Sequence, residues 1–265
     1  MFSKTQLVRK YIEYRIKGSN GKGHGVHSPF VFDLITKVLN DKTKPADFHD
    51  IEKVRAALKR NHSLLTIQDF GAGSRVNSNY QRSVSSIANS ALKPKKYGQL
   101  LYKLAKYFQP NTILELGTSL GITTSYLASA CPSSQIITME GAKEVASTAR
   151  ENFQTLGLQN IEIIEGNFDI TLPTLLNKTT TIDLAFIDGN HKEEPTLNYF
   201  QQLLPKINEN SVLIFDDIHW SAEMESAWKK IIDDNTVTLS IDLFFIGLVF
   251  FRKEQLKKQH FTIRY

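Results

Sequence analysis

The sequence predicts an α/β protein: a doubly wound, mostly parallel sheet of seven strands, closed by an antiparallel β-hairpin and preceded by an N-terminal helical extension. Three observations predict it. From residue 111 onward, short apolar runs alternate with helical stretches, the pattern of strands joined by crossover helices. Towards the C-terminus, two β-rich runs follow one another with almost nothing between them. The first third of the chain shows helical spacing instead.

In the extension, Leu7, Val8, Tyr11, Ile12 and Ile16 lie at helical spacing. A second helix opens with Ser28 as N-cap and Pro29 at the first helical position, then sets Phe30, Val31, Leu34, Ile35, Val38 and Leu39 on one face. Residues 45–60 form a third, with Phe48, Ile51, Val54 and Leu58 inward. Between the first two sits GSNGKGHGVHSPF, whose four glycines imply a shaped or mobile loop. LLTIQDF is a possible strand, but residues 77–96 offer no partner strand after it.

The sheet then reads in order. Thr112–Leu116 is a strand and 121–130 a helix; Gln135–Glu140 is the second strand, and 143–156 a helix ended by Gly157. Ile161–Glu165 is the third strand and 182–188 the fourth, followed by a helix over about 196–204 that stops at Pro205. Residues 211–217 are the fifth strand and 222–232 a helix; 237–244 and 246–252 are the antiparallel pair. The domain boundary therefore falls between 1–94, a basic helical extension or lid, and 95–265.

Composition excludes several classes. A single Cys131 in 265 residues rules out an internal disulfide and any cysteine-based zinc site, and fits a reducing cytoplasm. Charges occupy the place where a signal peptide needs an apolar core, and the longest apolar run, 243–251, falls far short of the roughly 20 residues of a membrane helix. The protein reads as cytoplasmic, with no membrane partner. Its net charge of +5 is unevenly spread: residues 1–98 carry 18 basic and 7 acidic residues (+11), and 99–265 carry 14 and 20 (−6). The basic third suits an anionic partner, or is simply a solvated surface.

Two glycine-rich segments compete as a cofactor loop: Asp69-Phe-Gly71-Ala-Gly73-Ser74 and Glu115-Leu-Gly117-Thr-Ser-Leu-Gly121. Such a loop should follow a strand, open a helix, and be succeeded about 20 residues later by an acidic residue that can bind a ribose. The second segment meets all three conditions, with Glu140 as the acid. Ser119 stands where dinucleotide binding wants its second glycine, so E-x-G-x-x-x-G suits a cofactor with an amino-acid tail.

With these motifs in order, roughly residues 95–252 resemble the class I S-adenosylmethionine-dependent methyltransferases, in the branch of the catechol and caffeoyl-CoA O-methyltransferases. The resemblance implies a Rossmann-like methyltransferase domain over 95–265. It implies that Glu115, Gly117, Thr118, Ser119 and Gly121 line the methionine end of S-adenosylmethionine, that Glu140 and Gly141 hold the ribose, and that Asn167 and Phe168 surround the adenine. An Asp is more usual than Asn167. Tyr97-Gly98-Gln99 is similar to the segment that covers the cofactor, and Asp188 can meet the cofactor's amino group. The structural alternative for Gly117 and Gly121 is close packing of helix on sheet.

Ligands in such sheets bind beyond the carboxyl ends of the strands, which here read Asp188-Gly-Asn-His191-Lys192 and Asp216-Asp217-Ile-His219. Asp188, Asp216 and Asp217 could hold Mg²⁺ or another divalent cation through oxygen. The metal-dependent relatives carry Asp-Asn where this chain has Asp216-Asp217, and a lysine base where it has His191, with Lys192 one place further. Histidine is suited to accept a hydroxyl proton. Alternatively, Asp216 and Asp217 cap the next helix and His219 only packs. The expected activity is O-methylation of a small or carrier-linked, anionic acceptor. An RNA methyltransferase that uses the basic extension is the second reading, although no RNA-binding module is recognisable. A nicotinamide-dependent oxidoreductase and a non-catalytic cofactor-binding protein are the remaining ones. A homodimer is admitted, and His24 and His27 have no evident third ligand.

Overall fold

The computed structural model describes residues 1–19, 21–23, 25–68, 79–255 and 257–265. Along these run α1 (Lys4–Lys17), α2 (Pro29–Leu34) continued by a π-turn (Ile35–Leu39), α3 (Asp47–Leu58), β1 (Leu64–Gln68), β2 (Asn79–Ser83), α4 (Val84–Ser90) and α5 (Lys95–Phe108). Then come β3 (Thr112–Leu116), α6 (Ile122–Ala130), β4 (Gln135–Glu140), α7 (Lys143–Thr155), β5 (Ile161–Glu165), α8 (Phe168–Lys178), β6 (Leu184–Ile187) and α9 (Glu193–Leu203). β7 (Val212–Asp216), α10 (Ala222–Asp233), β8 (Leu239–Asp242), β9 (Ile246–Phe250) and β10 (Gln259–Thr262) complete the chain. The α/β class is as expected, with three strands beyond the sequence reading. One is β10, the eighth of the strands β3 to β10 where seven were expected. The other two are β1, read as a possible strand, and β2, which was not expected.

The chain divides into two compact units, residues 42–178 and residues 1–41 with 179–265. They are defined by packing and do not coincide with the boundary at 94/95, which follows the resemblance.

In the unit 42–178, β3, β4 and β5 lie parallel, with Thr112 opposite Gln135 and Ile136 opposite Ile161. Apolar β3 and β4 residues are buried: Ile113, Leu114, Ile136 and Met139 are at most 1% exposed. β1 and β2 form a separate antiparallel pair, Leu64 opposite Ser83. Helices α3 to α6 bury Phe48, Ile51, Val54, Leu58, Ile87, Tyr102 and Tyr126 in one cluster, Phe48 lying edge-on to both tyrosine rings. That confirms the inward face expected of α3. Gly98 allows the close approach of α5 and α6, since a Cβ there would lie 2.7 Å from the Tyr126 ring.

In the other unit the strand order is β10-β8-β9-β7-β6. β6 and β7 are parallel, and β9 is antiparallel to both β7 and β8, as the closing hairpin required. β10 is parallel to β8. Helix α2 starts as expected, with the Ser28 hydroxyl accepting the Val31 N–H, and buries Val31 and Leu34. Helix α1 differs from its pattern. Of its residues Tyr14 is buried, whereas Val8, Ile12 and Ile16 are exposed.

Helix α1 is held by the rings of Tyr11 and Tyr14 against Phe244 and by polar contacts. Lys10 reaches both oxygens of Glu225 at 2.9 Å. The Tyr14 hydroxyl donates to the Ile263 carbonyl and accepts the Tyr265 N–H. Behind Lys10, His219 bridges Glu225 (Nδ1, 2.9 Å) and Asp242 (Nε2, 2.7 Å). Burial by itself lowers the His219 pKa, but the two carboxylates, Asp242 foremost, outweigh it and the net shift is upward. A raised folded pKa means that this contribution to stability is complete below the unfolded value, about 6.5, and is lost as pH rises through the folded one. Thermal unfolding across a pH series should therefore show a Tm component that declines above neutral pH. His219→Gln should remove it, and parallel profiles for the two proteins would contradict the assignment.

Candidate functional site

The first cluster lies wholly within the unit 42–178. After β3 the chain turns through Gly117 (φ 106°), Ser119 (φ 49°) and Gly121 (φ 78°), all left-handed, before α6 begins. Glycine is required at 121 twice over: an added Cβ would lie 2.5 Å from the Phe153 ring of α7. Close packing against α7 thus suffices by itself to call for a glycine at 121. The Gly117 and Thr118 N–H groups both donate to the Met139 carbonyl at 3.0 Å, which pins the loop to the end of β4.

Glu140 organises this loop. Its Oε2 accepts the Ser119 N–H at 2.8 Å and its Oε1 the Ala142 N–H at 2.9 Å. Burial raises its pKa, opposed by hydrogen bonds from the backbone of Ala142, Ser119 and Gly141. The backbone thus takes three of the roughly four acceptor directions of the carboxylate, and the remaining one can meet a ribose hydroxyl. The residues therefore fit a nucleoside.

Other expected cofactor residues are placed differently. Glu115 is fully buried, and its carboxylate accepts the hydroxyls of Thr124 and Thr138, the latter at 2.7 Å. Thr118 is buried and shares a 2.6 Å hydrogen bond with Thr138. Together they tie β3, β4 and α6. Asn167 caps α8, its Oδ1 accepting the Asp169 N–H at 2.9 Å, and Phe168 beside it is half-buried. Gln99 bonds the Tyr126 hydroxyl, which also donates to Glu52 at 2.7 Å.

The second cluster lies wholly within the other unit. Ile187 of β6 pairs with Phe215 of β7, so the residues that follow, Asp188 and Asp216, leave the strands side by side. Asn190 (φ 65°) and His191 (φ 42°) are consecutive left-handed residues that curl the chain back, and the His191 N–H donates to the Gly189 carbonyl. The imidazole Nε2 then lies 3.5 Å from Asp188 Oδ1. Asp188, His191 and Asp216 each present a donor atom within 4.8 Å of the others, a set whose chemistry fits a divalent cation.

Asp217 is outside that group. Its backbone is left-handed (φ 52°), its N–H donates to the Phe245 carbonyl at 2.7 Å, and its carbonyl accepts the Trp220 N–H. Lys192 is exposed at the N-cap of α9. His219 belongs to the α1 anchorage, and His27 is exposed. His24 and the Asp69–Ser74 loop lie outside the described residues.

A family model described as a methyltransferase domain matches residues 114–218, which begins within β3 and takes in both clusters. Over these residues the chain is similar to a methyltransferase domain. The chain is 32% identical over 123 residues to a catechol O-methyltransferase of Mycobacterium tuberculosis, covering 46% of this chain and 54% of that protein. It is 36% identical over 92 residues to a tRNA (guanine-N(7)-)-methyltransferase of Mycoplasma mobile, covering 34% and 46%. The matched part spans about half the length of these curated relatives. Among solved structures, the SAH-bound Podospora anserina methyltransferase PaMTH1 shares the fold of this chain. Its TM-score is 0.59 at 14% identity, covering 96% of this chain and 98% of that one. Among the described residues, no helix is long and apolar enough to cross a membrane.

Proposed function

We propose that this protein is an S-adenosylmethionine-dependent methyltransferase that methylates a hydroxyl group of a small, anionic acceptor. The observation that carries the reading is Glu140, a partly buried carboxylate at the end of β4 that backbone N–H groups of the left-handed loop hold in place. Similarity to a catechol O-methyltransferase supports oxygen as the atom methylated.

In this reading Glu140 accepts from the ribose, and Gly141 leaves room for the sugar. Ser119, Gly117 and Gly121 form the turn that meets the methionine end; Glu115 and Thr118 keep that turn rigid from beneath. Phe168, Asn167 and Gln99 flank the base and the cover. When bound, the cofactor supplies a methyl group already activated by its sulfonium, so the protein's task is alignment and deprotonation of the acceptor. Asp188, His191 and Asp216 serve the deprotonation. A divalent cation there would lower the cost of forming the oxyanion. The +11 charge of residues 1–98 favours an acceptor bearing a carboxylate or a charged carrier.

The same charge, with the similarity to a tRNA methyltransferase, supports RNA as a second reading. Radiolabelled S-adenosylmethionine, offered with Mg²⁺ and Mn²⁺ to a diphenol, a carboxylated diphenol and bulk tRNA, separates them. We expect label in the carboxylated diphenol first. Label confined to tRNA would establish the second reading, and none in any acceptor would overturn the first.

A further inference from the structure

We propose that His191 is itself a metal ligand, completing an Asp188–His191–Asp216 set, and that this protein takes a transition-metal dication such as Mn²⁺, Fe²⁺, Co²⁺ or Zn²⁺ in preference to Mg²⁺. The inference refines the proposed reading by naming the class of cation that the cluster serves.

Geometry carries the argument. The 3.5 Å between His191 Nε2 and Asp188 Oδ1 is longer than a good hydrogen bond. It is close to the separation of two neighbouring ligands on one metal: bonds of about 2.1 Å at a tetrahedral angle put donor atoms about 3.4 Å apart, and at a right angle about 3.0 Å. The whole set falls within 4.8 Å, so bringing the widest pair to a tetrahedral separation takes at most about 1.4 Å of side-chain movement. The side-by-side exit of Asp188 and Asp216 from β6 and β7 supplies two ligands on adjacent strands. The third position goes to the residue whose backbone turns back towards them. That residue is His191, not Asp217, whose own left-handed turn is fixed to the Phe245 and Trp220 backbone.

The donor set then determines the cation. Mg²⁺ is hard, dehydrates reluctantly and takes oxygen, whereas imidazole nitrogen suits the later first-row dications. Exchanging an oxygen ligand for His191 shifts selectivity away from Mg²⁺. It also commits Nε2, so His191 cannot use that atom to take the acceptor's proton.

Calorimetric titration of the full-length, metal-stripped protein with MnCl₂ and with MgCl₂ tests this directly. Mn²⁺ should bind at least about 10-fold tighter than Mg²⁺. His191→Ala should weaken Mn²⁺ by roughly 10- to 100-fold while changing Mg²⁺ by less than about 3-fold. The visible absorption of the Co²⁺-loaded protein should change in the same variant, as a nitrogen ligand leaves the cobalt. Equal affinities for the two ions, a Co²⁺ spectrum indifferent to His191→Ala, or no binding of either ion would each overturn the proposal. S-adenosylhomocysteine titrated into the same samples keeps the two claims apart. If it binds while Mn²⁺ and Mg²⁺ do not differ, the ligand assignment fails and the methyltransferase reading stands; if it does not bind, the reading itself fails. Its retention in His191→Ala also shows that the variant is folded.

Discussion

Glu140→Ala is expected to weaken S-adenosylhomocysteine binding by at least on the order of 100-fold. Hydrogen bonds to a charged group contribute about 1.5–3 kcal/mol each, so the lost ribose contact and the lost anchorage of the loop together cost about 3 kcal/mol or more. The substitution also frees the Ser119 and Ala142 N–H groups that now fix the loop, so the left-handed turn loses its template along with the ligand contact. Glu140→Gln keeps one acceptor oxygen and should lose only about 10-fold. Calorimetry of the two variants, with far-ultraviolet circular dichroism to confirm the fold, checks the order. Equal affinity in Glu140→Ala and the unaltered protein would remove Glu140 from the cofactor site.

Asp216→Asn should affect a different step. Asp216 is 1% exposed at the end of a fully buried strand, and asparagine matches its shape without its charge. Turnover should fall by about 100-fold or more, because stabilising the acceptor's oxyanion through a cation is worth several kcal/mol. Mn²⁺ affinity should fall with it. S-adenosylhomocysteine affinity should change little, since the contacts of Glu140 and the glycine turn are made within residues 42–178. Loss of cofactor binding alongside turnover would mean that Asp216 serves the fold, not the chemistry.

Much of this was legible in the sequence for identifiable reasons. β3 (TILEL), β4 (QIITME) and β7 (VLIFD) are mostly apolar because they are largely buried on both faces, and the spacing from the glycine turn to Glu140 is set by one helix and the strand that follows it. What escaped has equally specific causes. β10 (QHFT) and β2 (NYQRS) carry no apolar alternation, since edge and two-stranded pairing relies on backbone hydrogen bonds. Helix α8 holds Pro173 in its interior, which reads as a break. The apolar spacing of α1 predicts a buried face, but of that face Tyr11 packs on Phe244 while Val8, Ile12 and Ile16 stay exposed, and the polar contacts of Lys10 and Tyr14 with the distant Glu225 and Ile263 follow no local pattern. At the acidic cluster the three aspartates suggested an oxygen site. Which residues actually converge depended on left-handed backbone at Asn190, His191 and Asp217, three non-glycine positions where sequence gives little warning.

The central claim is that the Glu140 loop binds S-adenosylmethionine and not a dinucleotide. Parallel calorimetric titrations of the purified protein with S-adenosylhomocysteine and with NADH test it most directly. The account predicts one S-adenosylhomocysteine per chain, lost in Glu140→Ala, and no heat from NADH; saturable NADH binding with no response to S-adenosylhomocysteine would contradict it.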